Sequence, residues 1–578
     1  MPKVIFGGNS STDLSAEWRY NSDSPTEELY ASTRADILPL LQHVEAAANS
    51  NSFAVVFLSY EVAPVFDPAL VTHYPGTFPL AWAGIFSASD QPRETRGGTY
   101  ETGAWQPLIS RDNYDECVGK IRDSIAQGDT YQVNFTFPMV CDFSGDPFEW
   151  YRDLCKAQQA PYSAYLDLGR FKVLSLSPEL FFKRAGDRVV TRPMKGTARR
   201  GRWLSEDEEI ARALSQSEKD RAENVMIVDL LRNDLGRIAQ PGTVKVTSLF
   251  ELERYDTLWQ LTSTIESTLK PNTSLVEVLS NLFPCGSITG APKVSTMEII
   301  HRLETFPREL FTGTIGLVRP GGDCCFNVAI RTVLVDESSG RARFGVGGGI
   351  TYDSTAEGEY EECLTKAAFL TRRASDFDLI ETMLLEDGEY FLLDRHTRRM
   401  RDSAYYFWGT STENAGAALA ETAKTHPGGR WKVRLLFSRR GEIDIQVTPL
   451  PEVSTGDVKV TLASCPVDQR DRFLFHKTTN RSVYEQALAE KGKCDDVILW
   501  NQVGEVTESS IANVVVDLNG VLYTPPRSAG LLAGTFREEL LQQGVISERT
   551  LLKEDLQKAD ALFLVNSVQK WRRATLHS

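Results

Sequence analysis

The chain has 578 residues, of which 42% are hydrophobic and 24% charged, too long for one hydrophobic core and composed like ordinary globular protein. A net charge of −15 excludes a nucleic-acid surface and means that a small anionic substrate needs locally gathered arginines, lysines or a metal. Nine scattered cysteines without a C-x-x-C pair, a start without a signal-peptide core and the lack of a membrane-length apolar run read as a reduced cytoplasmic protein. Cys324 and Cys325 are expected to alternate across a strand rather than to bridge.

In chain order, residues 53–60 read as a strand, residues 90–98 as an exposed loop of charges with Pro and Gly, and residues 114–127 as a helix. Strand text at 331–335 precedes a helical pattern over 357–370, which stops at 371–376. The domain boundary is expected there. Residues 1–372 mix short strands with helices, as an α+β domain does. Residues 373–578 carry strand text at 377–382, 431–438 and 496–500 around a helix at 396–407, which reads as α/β. There is no short-period repeat and no long low-complexity tract.

The most informative stretch is Thr191-Arg192-Pro193-Met194-Lys195-Gly196-Thr197-Ala198-Arg199-Arg200. Its Pro/Gly-framed lysine lies among arginines that favour a neutral amine, so Lys195 is a nucleophile candidate, against the plainer reading of a basic surface turn. Asp220 and Glu223 are three apart, as are Glu359 and Glu362, a spacing that puts each pair on one helix face. Two such faces suit Mg²⁺; solvated acidic faces, with Glu362 bridging to Lys366, are the alternative.

Together with Ser177-Pro178-Glu179-Leu180-Phe181, Lys219-Asp220-Arg221-Ala222-Glu223-Asn224 and Gly290-Ala291-Pro292-Lys293, this stretch resembles the chorismate-utilising enzymes. The lysine before Gly-Thr is similar to their aminodeoxychorismate synthase branch. The resemblance implies that Lys195 attacks C2 of chorismate while Glu179 acts as general acid on the 4-hydroxyl, after which ammonia adds at C4. It implies Mg²⁺ on Glu223 and Glu362, with Asp220 and Glu359 supporting. Arg331 is matched to a substrate carboxylate, and Thr289 and Lys293 to further substrate contacts; the glycine run with Gly347, Gly348 and Gly349 can bring backbone N–H groups to the same anion, with a hairpin turn as the alternative. Anthranilate synthases usually have alanine at the place of Lys195, and isochorismate synthases a lysine at the place of Gln132. Gln260 and Leu317 depart from the family, which often has histidine and tyrosine there. No Gly-x-Cys-x-Gly turn of a glutaminase is found, so ammonia is expected from solution or from a separate glutamine amidotransferase subunit.

The second half holds Phe475-His476-Lys477-Thr478-Thr479, Val506-Thr507-Glu508-Ser509 and Gly530-Leu531-Leu532-Ala533-Gly534-Thr535. This ordered set resembles fold-type IV pyridoxal-phosphate enzymes, among them the aminodeoxychorismate lyases. The resemblance implies that Lys477 carries pyridoxal 5′-phosphate, that Glu508 holds its pyridine nitrogen protonated, and that Arg399, Gly534 and Thr535 bind its phosphate, with Arg395 and Arg398 as competitors of Arg399. The fusion then implies a route from chorismate to 4-aminobenzoate. A fused broad-specificity aminotransferase and a silent scaffold that recruits the glutaminase are the alternatives. Residues 373–578 are short for that family, so this half is expected to lean on the first domain or on a second copy of itself, as a homodimer.

Overall fold

The computed structural model describes residues 3–7, 18–87, 97–158, 160–371, 376–451 and 456–577. The chain forms two compact units, one of Met1–Arg199 with Ala211–Ala374 and the other of Arg200–Ile210 with Ser375–Ser578. The expected boundary at 372–373 and most of the expected loop at 90–98 lie outside the described residues. The expected order of an α+β domain followed by an α/β domain is the order observed, with the second sheet closed into a barrel.

In the first unit, one antiparallel sheet is centred on the strands Gln132–Gly145, Arg341–Ile350, Thr332–Asp336 and Phe171–Ser177. The other is centred on Leu258–Thr268, Arg188–Arg192, Leu180–Ala185, Cys324–Val328, Thr314–Val318 and Phe53–Leu58. Strand side chains alternate faces, so a strand covered on both sides must be apolar throughout. Phe53–Leu58 is such a strand: Val55 and Phe57 enter the core between the sheets, whereas Ala54, Val56 and Leu58 enter the core beneath the outer helices. Cys324 and Cys325 split in the same way, and both are free thiols. Helix Arg111–Ala126 covers the first sheet through Tyr114, Val118 and Ile121.

Capping fixes where the acidic helices begin. Ser217 Oγ accepts from the Asp220 N–H at 3.3 Å ahead of helix Glu218–Ile238, and Thr355 Oγ1 accepts from the Gly358 N–H at 3.2 Å ahead of helix Ala356–Ala367. Each cap satisfies an N–H that the helix itself leaves open. The first turns thereby hold Asp220 and Glu359, and the next turns Glu223 and Glu362.

In the second unit, Leu379–Glu386, Arg430–Phe437 and Ile443–Pro449 form an antiparallel sheet packed by helix Leu393–Trp408. The barrel runs through Val506–Ser509, Asp496–Trp500, Val458–Leu462, Lys570–Leu576, Ala561–Asn566 and Asn513–Leu518, and closes where Glu508 pairs with Asn513. Val460, Ile498, Val514 and Leu564 fill one of its hydrophobic clusters. Among the described residues, no helix is long and apolar enough to cross a membrane.

Candidate active sites

Lys195 lies at an irregularity in the pairing of Met194–Arg199 with Leu258–Thr268: the register shifts between Met194 and Thr197. Gly196 takes φ +93° there, a backbone that favours glycine. Gln260 holds the bulge from both sides, donating to the Gly196 carbonyl at 3.0 Å and accepting from Thr197 Oγ1 at 3.0 Å. A β-carbon at Gly349 would lie 2.8 Å from Lys195 Nζ and would overlap the Gln132 amide. The amine therefore faces bare backbone of strand Arg341–Ile350, beside a buried Gln132 whose amide atoms have no protein partner.

Burial lowers the Lys195 pKa and Lys366 adds to the shift, against the pull of Glu223, Glu179 and Glu362. The flanking arginines, expected to supply that effect, do not. Arg192 is paired with Glu251 and Glu253, and Arg200 with Asp207 in the other unit. Glu179 sits in the turn between strands Phe171–Ser177 and Leu180–Ala185 and is 3% exposed. Burial pushes its carboxyl up to about 7, although Ser287 Oγ donates to it at 2.6 Å and Lys195 opposes the shift. Burial thus raises the carboxyl and lowers the amine, while the charge of each opposes the shift of the other.

The carboxylates of the two capped helices share one electrostatic neighbourhood. Glu223 is raised by burial and then by Asp220 and Glu359, and Glu359 by burial and by Glu362. Burial also acts upward on half-exposed Glu362, but Lys366 at 2.8 Å outweighs it and lowers the pKa. Lys366 also donates to the Gly347 carbonyl at 2.9 Å. Among the described residues no group of three His, Cys, Asp or Glu is gathered as a metal site. The donor chemistry suits a hard cation, because carboxylates that raise one another are relieved by one.

Arg331 holds φ +50°, left-handed backbone unusual for a non-glycine residue. Its guanidinium donates to Gln158 and has no carboxylate within ion-pair distance among the described residues. Burial lowers its pKa to about 10, which leaves a dehydrated cation suited to a substrate carboxylate. Lys293 is otherwise engaged, 3.1 Å from buried Asp234. Thr289 is buried and donates to backbone carbonyls of its own turn, at 3.2 Å to Cys285. Gly347 and Gly348 have no room for a β-carbon, which would meet the Thr136 side chain at 2.6 Å and Glu359 at 2.8 Å respectively.

In the second unit, the Lys477 carbonyl accepts from the Ile380 N–H at 2.8 Å and Leu379 bridges Thr478, so the lysine is tied to strand Leu379–Glu386. Burial lowers the Lys477 amine to about 8, with Arg399 assisting. Glu508 accepts from Tyr484 Oη at 2.7 Å, the Leu532 N–H at 3.1 Å and Asn513 Nδ2 at 3.3 Å, yet burial holds it at about 7. A protonated pyridine nitrogen is the kind of cation that would return such a carboxyl to the ionised range. Of the three competing arginines, Arg395 and Arg398 pair with Glu538, whereas Arg399 is the one whose charge bears on Lys477.

The sequence reading missed Glu381. This 2%-exposed carboxylate accepts from Arg399 Nε at 2.9 Å and Nη2 at 2.6 Å, and shares a hydrogen bond of 2.6 Å with His396 Nδ1. Burial acts upward, but Arg399 and His396 outweigh it and hold Glu381 at about 2. His396 Nε2 in turn lies 3.2 Å from Thr535 Oγ1, at the start of helix Thr535–Gln542, which Gly534 caps. The available signal was His396 and Arg399 three apart on one helix face, opposite a glutamate on the preceding strand.

Residues 83–372 match the chorismate binding enzyme family and residues 378–576 match amino-transferase class IV. Aminodeoxychorismate synthase component 1 of Bacillus subtilis (strain 168) is 38% identical over 282 residues, 49% of this chain and 59% of that protein. This chain thus spans less than two thirds of that relative. Anthranilate synthase component 1 of Thermus thermophilus is 37% identical over 330 residues, 55% of this chain and 70% of that protein. The crystal structure of anthranilate synthase component I from Streptococcus pneumoniae TIGR4 has a TM-score of 0.52 over 64% of this chain and 91% of its own, at 24% identity, a likeness of fold alone.

Removing Glu381 tests the buried pairing directly. Glu381→Ala leaves Arg399 without its carboxylate and is expected to cost the second unit about 3–5 kcal/mol. The measurement is the denaturant midpoint of that unit; an unchanged midpoint would mean that the pairing adds no net stability.

Proposed function

Because the chain belongs to the chorismate binding enzymes and carries an amino-transferase class IV module behind that part, we propose that its units act in sequence to make 4-aminobenzoate for folate synthesis. The first aminates chorismate at C4 to give 4-amino-4-deoxychorismate, and the second eliminates pyruvate from it. The observation that carries this reading is Lys195 set at the Gly196 bulge against bare backbone at Gly349, within electrostatic reach of a buried Glu179 held at about 7. Anthranilate synthases, which aminate C2 without a lysine adduct, usually lack that lysine.

In the first unit, neutral Lys195 attacks C2 as Glu179 gives its proton to the departing 4-hydroxyl, which leaves as water. Ammonia, from solution or from a separate glutamine amidotransferase subunit, then bonds to C4 and the lysine leaves C2. Arg331 receives a substrate carboxylate, and the glycines Gly347, Gly348 and Gly349 let the backbone approach it. Thr289 and Lys293 have supporting roles, Lys293 by way of Asp234. Mg²⁺, held by Glu223 and Glu362 with Asp220 and Glu359 supporting, would supply positive charge for the anionic substrate.

In the second unit, pyridoxal phosphate would be held by Lys477, Glu508, Arg399, Gly534 and Thr535, and when bound supplies a sink for the electrons released at C4 of the substrate. Glu508 holds the proton on the pyridine nitrogen. The Lys477 amine, at about 8, takes the C4 proton, and loss of pyruvate leaves an aromatic ring. Cytoplasmic location accords with this metabolism.

Three outcomes follow from these roles. The donating form of Glu179 is present below about pH 7 and is lost as pH rises through it, so the amination rate should show a limb there that Glu179→Gln removes. A limb that survives in Glu179→Gln belongs to another group. EDTA treatment should depress chorismate consumption, and Glu223→Gln should raise the Mg²⁺ concentration needed to restore it by about tenfold or more; full activity of EDTA-treated protein would defeat the metal assignment. Lys477→Ala should lose the visible absorbance of bound pyridoxal phosphate and release no 4-aminobenzoate, while chorismate is still consumed and aminodeoxychorismate accumulates. If that variant makes 4-aminobenzoate at the wild-type rate, the two-step division of labour is wrong.

A further inference from the structure

The second unit includes Arg200–Ile210, which follows directly on strand Met194–Arg199. This strap is bonded into the neighbourhood of Lys477. The Arg202 carbonyl lies 3.1 Å from Nε2 of His476, the residue before Lys477, and His476 is held from its other side by Ser403 Oγ at 2.8 Å. Arg200 donates to the Tyr406 carbonyl at 2.9 Å, and Tyr406 Oη to the Gly201 carbonyl at 2.6 Å. Trp203 lies with its ring centroid 5.1 Å from that of Phe475.

Against the same indole lies Arg527, its guanidinium carbon 4.6 Å from the ring centroid. Several arginines of this neighbourhood are neutralised by carboxylates: Arg202 by Glu206 at 2.9 Å, Arg399 by Glu381 at 2.6 Å and Arg537 by Glu548 at 2.6 Å. Arg527 is different. It has no carboxylate within ion-pair distance among the described residues, its buried Nε has no hydrogen-bond partner, and its one bond is a long 3.5 Å contact from Nη2 to the Phe475 carbonyl. A half-buried guanidinium without a counter-charge is costly to keep unless an anion completes it. Burial and the charges of Arg537 and Arg399 lower its pKa to about 10 against the pull of Glu206, which is itself paired with Arg202, so Arg527 is cationic at neutral pH and has no carboxylate of its own.

We infer that Arg527, seated on the Trp203 ring, receives a carboxylate of the second unit's substrate, and that residues 200–203 belong to this second active site. The inference rests on the lyase reading above, in which the substrate is a dicarboxylate. It adds a specificity residue that distinguishes a carboxylate-bearing ring amine from a neutral one, because a planar guanidinium pairs bidentately with a carboxylate.

The test is steady-state conversion of added aminodeoxychorismate to 4-aminobenzoate by the full-length, cofactor-loaded protein. Arg527→Met is expected to raise KM about tenfold or more, with kcat changed much less and cofactor absorbance retained. Arg527→Lys, which keeps the charge but loses the fork, should fall between, and Trp203→Ala should raise KM in the same direction. An unchanged KM in Arg527→Met, or a loss of cofactor absorbance in its place, would overturn the assignment. Should Arg527→Met fail to fold, an unchanged KM in Arg527→Lys overturns it equally. Wild-type protein that does not convert aminodeoxychorismate at all would instead defeat the lyase reading.

Discussion

Each unit is organised around a lysine amine that must be kept out of water. Lowering an amine from its ordinary 10.5 to about 8, as at Lys477, raises the neutral fraction at pH 7 from roughly one in 3000 to roughly one in ten. Dehydration that achieves this for a lysine also penalises each nearby carboxylate. Glu179 and Glu508 are both driven to about 7 in the process. The same burial thus acts in opposite senses on amine and carboxyl, with Lys366 and Arg399 adding to the lysine shifts.

Local backbone geometry is what points these groups inward. Gly196 in left-handed backbone and the broken register around it turn Lys195 out of the regular ladder, and Gln260 closes both sides of that bulge. An amide suits this task because it donates and accepts through one planar group. Leu317 is fully buried in the core between the sheets.

Much of this was legible in the sequence, for physical reasons. The apolar run at residues 53–60 read as a strand, as residues 53–58 prove to be, and the helical windows gave helices within a few residues of their observed ends. Acidic residues three apart were expected on one face, and the helices Glu218–Ile238 and Ala356–Ala367 carry them so. What the sequence withheld are partners distant along the chain. Glu381 is an unremarked glutamate in a strand until Arg399 and His396 are folded against it. Lys293 reads as a free cation until Asp234 occupies it. The arginines around Lys195 were expected to depress its pKa, but Arg192 and Arg200 have carboxylates of their own, and burial does that work.

The strap shows most plainly why position in sequence and membership of a unit differ. Residues 375–578 are not the whole of their compact unit, which also takes in a piece from far upstream. Arg200–Ile210 is the borrowed piece: Asp207 is 2% exposed and bound to Arg200, and Tyr406, Phe475 and His476 pack or bond to residues 200–203. The strap is bonded to the rest of the unit through the Gly201 and Arg202 carbonyls and the Arg200 guanidinium, while the buried Arg200–Asp207 pair ties the strap to itself. Its contact with the second unit is therefore specific rather than a loose covering. The backbone that carries Lys195 in the first unit continues directly into residues 200–210 of the second, where the Arg202 carbonyl meets the histidine next to Lys477.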